Sequence, residues 1–82
     1  MKVEYFKTNC HYMKVVNGEM STLVCDLYEN AYSIEFDKVN SLTYKDGKII
    51  SDIWFLCDKT EFEAKFFEIM NKLLSLENYT LY

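Results

Sequence analysis

Apolar and polar residues alternate with a period of two over roughly the first two thirds of the chain, and the spacing lengthens to a helical period in the last third. Asn17-Gly18, set between Val15-Val16 and Glu19-Met20, is the strongest local sign of a two-residue hairpin turn with both central residues at positive φ. That turn makes paired positions sum to 35, so that Tyr12 faces Leu23 and Cys10 faces Cys25. One face of the ribbon then carries Phe6, Cys10, Tyr12, Leu23, Cys25 and Leu27. The other carries His11, Met13, Val15, Met20, Thr22 and Val24, which leaves both faces partly apolar.

A second turn signal, Asp46-Gly47, sits between Lys45 and Lys48, with paired positions summing to 93. Tyr32, Ile34, Phe36, Leu42 and Tyr44 share one parity before it, and Ile49, Ile53, Phe55 and Cys57 continue that parity after it. Two strands that agree on which face to bury support each other's assignment. The parity blurs around Lys38-Val39-Asn40, which predicts a break or bulge there.

Past Asp58 the period changes. Asp58 with Glu61, or Thr60 with Glu63, offers a capping box. Phe62, Phe66, Ile69, Leu73 and Leu76 form one helical stripe, and Phe67, Met70 and Leu74 form a second row beside it. The pattern predicts an α+β domain: a four-stranded, mainly antiparallel sheet from two sequential hairpins, about 2–28 and 32–57, with one C-terminal helix, about 60–77, packed on a face. The tail, 78–82, is apolar enough to pack.

Composition sharpens this picture. The chain has 82 residues, enough for one compact domain, and half of them are apolar. No apolar run is long enough to cross a bilayer, and the start, Met1-Lys2-Val3-Glu4-Tyr5-Phe6-Lys7, lacks a secretory leader's apolar stretch, so the expected location is the cytoplasm. All nine basic residues are Lys, so no guanidinium is present to clamp phosphate. Together with the many Asn, Ile, Tyr and Phe residues, this reads as an AT-rich genome, such as that of a low-GC bacterium or of a phage or plasmid it carries. The net charge of −4 is spread evenly, with four Lys against six acids in residues 1–41 and five against seven in residues 42–82. No basic patch results, which counts against nucleic-acid or membrane binding.

Candidate chemistry is sparse. Three cysteines, an odd number, point to reduced thiols rather than a disulfide framework. Cys10, His11, Cys25 and Cys57 are ligand types, but no zinc spacing links them, so no metal or cofactor is expected. Cys10 and His11 adjoin, yet alternation along a strand sends neighbouring side chains to opposite faces, which separates a thiol from its base. Both glycines fall in turns, leaving none for a phosphate-binding loop. Glu35 and Asp37 share a strand face and read as solvated rather than catalytic.

The surplus of apolar residues is the informative feature. A helix that covers one sheet face leaves Phe67, Met70, Leu74 and the hairpin residues Met13, Val15, Met20 and Val24 without a cover, unless the sheet curls and the tail packs on them. Patches of that kind mark partner sites. The expected function is therefore a small non-enzymatic protein-binding module, acting through the helix flank, with Glu63 beside it, or through a sheet edge, as a homodimer or with another protein. A phage- or mobile-element-encoded inhibitor that occludes a host or defence protein fits this size and composition, and Glu35, Asp37, Glu61, Glu63 and Glu68 would face a basic groove on such a target. Two alternatives stand beside it. One is a small-molecule binder or minor enzyme with a pocket around His11, Cys10, Tyr12 and Trp54, and the other is a single-strand nucleic-acid binder using the aromatic residues.

Overall fold

The computed structural model describes residues 1–26 and 32–80. The elements are β1 (Val3–Lys7), β2 (His11–Val16), β3 (Met20–Asp26), β4 (Tyr32–Lys38), β5 (Tyr44–Lys45), β6 (Lys48–Ile49), β7 (Phe55–Leu56) and α1 (Lys59–Thr80). The architecture is α+β: an antiparallel five-stranded sheet in the order β4-β3-β2-β1-β7, with the C-terminal helix packed on one face. The sheet thus has five strands rather than four. Its first four are consecutive, because Thr8–Cys10 form a tight reversal that splits the expected first hairpin into β1 and β2.

The Asn17-Gly18 turn forms with both residues at positive φ, 54° and 66°, and Glu19 N donates to Val16 O. Register nevertheless differs from expectation by one residue. Val16 pairs with Met20, Met13 with Leu23, Tyr12 with Val24 and His11 with Cys25. The cause is Glu19, whose carbonyl accepts from Val39 N beyond β4 and which therefore stands outside the β2 ladder. A one-residue shift re-sorts every cross-strand neighbour. Tyr5, Tyr12, Val24, Tyr32 and Ile34 now gather on the helix side with Phe62, Phe66, Ile69 and Leu73. Phe6, Met13 and Val15, with Leu23 packed against them, gather on the other side.

That second face is covered, and by a part of the chain expected to lie in the sheet. After Lys38 the chain turns back, with Asn40 Oδ1 accepting from Leu42 N and Asn40 O from Tyr44 N. The expected break at 38–40 is thus where the chain leaves the sheet. The Asp46-Gly47 hairpin holds the expected pairing, Tyr44 with Ile49 and Lys45 with Lys48, but its ladder ends after those two pairs. Tyr44 is buried against Phe6, Met13 and Val15, with Val39, Ile49 and Trp54 around them. The two sides of the sheet therefore carry separate small cores. Val15 and Val24, neighbouring strands apart and fully buried, lie one in each.

The helix starts on Asp58, whose carboxylate accepts from Glu61 N at 2.8 Å while its carbonyl accepts from Phe62 N. Glu61 completes no capping box and instead takes Lys7 Nζ at 2.7 Å, tying the helix start to β1. Lys65 bonds Asp26 at 3.1 Å and anchors the next turn to β3. The helix runs to Thr80, past the expected end at 77. Leu27, Leu81 and Tyr82, and the side chains of Leu76 and Tyr79, lie outside the described residues.

Candidate functional site

Several residues expected on a free surface are interior. Met13 and Val15 are buried beneath Tyr44, and Val24 is buried beneath the helix, so none of them offers a face to a partner. Met20 stays half exposed at the start of β3. Phe67, at 54% exposure, and Leu74, at 48%, remain on the helix flank, with Met70 partly buried between them. Conversely, residues assigned to the core by parity are outside. Phe36 is 69% exposed on β4, and Leu42, Ile53 and Phe55 are exposed as well.

Phe36 and Phe67 meet at a groove of about 170 Å³ along the seam between β4 and the helix, with Phe62 and Phe66 in its wall and Lys14 and Glu63 at its border. The aromatic rings support one another. Phe62 stacks on Phe66 with centroids 6.1 Å apart, and Phe66 meets Phe67 edge-on at 5.5 Å. On the opposite side of β4 a second groove, about 210 Å³, is lined by Ser21, Glu35, Asp37, Asn40, Thr43 and Trp54, among others. Glu35 and Asp37 are exposed and make no ion pair among the described residues. Lys38 is the cation beside them.

The alternative pocket also has a counterpart. Cys10 and His11, expected on opposite faces, come together: Cys10 Sγ lies 3.2 Å from His11 Nδ1. Alternation does not separate them because Cys10 sits in the bend before β2 rather than on the strand. Trp54 packs edge-on against the imidazole at 6.4 Å, whereas Tyr12 lies on the helix side beneath Lys65 and takes no part. The pair opens on a shallow groove of about 510 Å³ with Asp52, Ile53 and Phe55. A thiol touching an imidazole is a nucleophile with a base in reach. Thr8 competes for the same nitrogen, however. Its hydroxyl oxygen accepts from the backbone N–H groups of Cys10 and His11 and lies 3.3 Å from Nδ1.

Of the other thiols, Cys25 faces His11 across the ladder rather than Cys10, which pairs with Asp26 through its carbonyl, so the expected Cys10–Cys25 juxtaposition is absent. Cys57 is pushed up to about 11, first by burial and then by the neighbouring Glu61 carboxylate. Hydrogen bonding to Glu61 raises Lys7, and hydrogen bonding to Asp26 raises Lys65, so both stay charged. Among the described residues, no three His, Cys, Asp or Glu side chains are grouped so as to hold a metal ion. No described helix is long and apolar enough to cross a membrane.

Comparison with protein families, with curated proteins and with solved structures finds no match.

Proposed function

We propose that the chain is a small non-enzymatic protein-binding module that acts from the cytoplasm, and that its working surface is the seam between β4 and the helix. The supporting observation is the groove that Phe36, Phe66 and Phe67 form, with Leu74 continuing the apolar row along the helix. Phe67 and Leu74 are seven residues apart, two helical turns, and so lie on one side of α1. Exposed aromatic residues bordered by charge, as Lys14 and Glu63 border these, have the composition of a protein interface. A mobile-element inhibitor that occludes a host protein is the context that size and composition suit best.

The test is site-specific photo-crosslinking in the source cell. A photoreactive residue at position 67 should capture a protein that the same residue at exposed Lys48 does not, and Leu74→Glu should abolish the capture. Equal capture from both positions, or none from position 67, would refute the reading. A second reading, a minor enzyme or small-molecule site, is favoured by the Cys10–His11 contact. It requires that Cys10→Ala and His11→Ala remove a biological effect that Phe67→Glu leaves intact.

A further inference from the structure

From the edge of the sheet we infer how that partner is held: it contributes an extended strand that adds to β4, with apolar side chains on the helix side alternating with basic ones on the other. The inference rests on the protein-binding reading and specifies its chemistry. In the described sheet β4 is a terminal strand, and it is seven residues long. Val39 N donates to Glu19 O, continuing the β3–β4 register in which Leu23 pairs with Glu35 and Ser21 with Asp37. In an antiparallel ladder hydrogen-bonded positions alternate, so the odd residues of β4 turn their peptide groups towards β3 and the even ones turn theirs outwards. Ile34 and Phe36 thus direct N–H and C=O at the open edge. Lys38 N is already held by Asp37 Oδ1 at 2.7 Å, which ends the usable edge at Phe36.

The two grooves flank this edge, one on each face, and their chemistries differ. A residue opposite Phe36 projects towards the aromatic groove shared with Phe66 and Phe67. Its sequence neighbours project to the other face, where Glu35 and Asp37 outnumber Lys38. Side chains of an added strand alternate between faces, so one segment meets both requirements when apolar and basic residues alternate. A second copy of this chain is the poorer occupant. Antiparallel self-pairing of β4 that keeps both helices on one face sets Glu35 against Glu35, Asp37 or the neutral Ser33 and never against Lys38, so a second copy brings no cation to this face and in two of those registers brings a like charge directly opposite. The net charge of −4 also favours a basic partner.

The probe is a blocked peptide of alternating valine and lysine, titrated into the intact isotope-labelled protein. The Ile34 and Phe36 amides should shift and exchange more slowly, since a new strand would take their hydrogen bonds. An alternating valine–glutamate peptide should bind at least about tenfold more weakly, and the double variant Glu35→Lys, Asp37→Lys should reverse that preference. Both residues are exposed, so the variant retains its core. N-methylation of alternate peptide bonds in the probe should abolish binding. No shift at about millimolar peptide, shifts confined to the helix, or indifference to N-methylation would each overturn the inference. So would a sedimentation-detected dimer that the peptide dissociates, because it would assign the edge to a second copy. If the peptide fails while position 67 still crosslinks a protein, strand addition is wrong and the protein-binding reading stands; if both fail, both are refuted.

Discussion

Replacing Tyr44 by Phe tests whether the 39–54 segment is tied to β1. Tyr44 is 3% exposed, its ring meets Phe6 edge-on at 6.3 Å, and it covers the Gly18 turn, where an added Cβ would stand 3.5 Å from Cε1. Phe preserves those contacts and removes only the hydroxyl, which donates to Glu4 Oε1 on β1. A hydrogen bond to a charged acceptor contributes about 1.5–3 kcal/mol. Glu4 keeps Lys2 at 3.7 Å and is 23% exposed, so its carboxylate recovers some solvation, and the expected loss is in the lower part of that range, about 1.5–2 kcal/mol. Titration reads the same bond: the hydrogen bond to Glu4, and secondarily burial, raise the Tyr44 phenol from 10.0 to about 12. Between those values the unfolded chain releases the proton while the folded chain retains it. The contribution is therefore complete below pH 10 and is lost as pH rises through 12. Urea unfolding of the wild type, Tyr44→Phe, Glu4→Gln and the double variant should give a coupling of about 1 kcal/mol, and the wild type should show a late phenolate absorbance step that Tyr44→Phe lacks. A loss within about 0.5 kcal/mol with no coupling would refute the Tyr44–Glu4 bond as a tie between this segment and β1.

Ile69→Ala should cost about 2–5 kcal/mol in the same urea measurement, because Ile69 is fully buried between helix and sheet, whereas Leu74→Ala should change stability by less than about 0.5 kcal/mol. Cys57 should be alkylated by iodoacetamide at mildly alkaline pH more slowly in the folded protein than in urea, and Glu61→Gln should speed the folded-state reaction, since burial first and Glu61 second hold the thiol protonated.

Much of the fold was legible in the chain, and the misses share one cause. The helix was readable from the spacing of Phe62, Phe66, Ile69 and Leu73, and both turns from Asn17-Gly18 and Asp46-Gly47, because turn chemistry and a sustained helical period are local properties. Register was not readable, because a ribbon with apolar residues on both faces has no pattern that penalises a one-residue shift, and the arbiter was Glu19 pairing towards the distant Val39. The same ambiguity hid the cap. Parity groups Tyr44 and Ile49 with Tyr32 and Ile34, but alternation carries no information on whether a strand continues in the sheet or folds over it. At the candidate site, Phe67 and Leu74 were readable as surplus beyond one helical stripe. Phe36 was not, since an exposed aromatic on an edge strand has the same parity as a buried one. The Cys10–His11 contact was hidden because Thr8 holds a bend at Asn9 and Cys10, immediately before the strand begins at His11.

The placement of the two small cores bears on how the protein is made. Both faces of β1–β4 are covered by residues that follow the last of those strands: Tyr44 and Trp54 on one side, and Phe62 to Leu73 on the other. As the chain leaves the ribosome, the strands that adjoin in sequence can pair early, but one side of the sheet stays wet until Tyr44 and Trp54 emerge and the other until the helix does. Helix and cap then act as two clamps on a single thin plate. Loosening either one should release the other, although neither packs within the other's core, and the protein should lose both in one cooperative step.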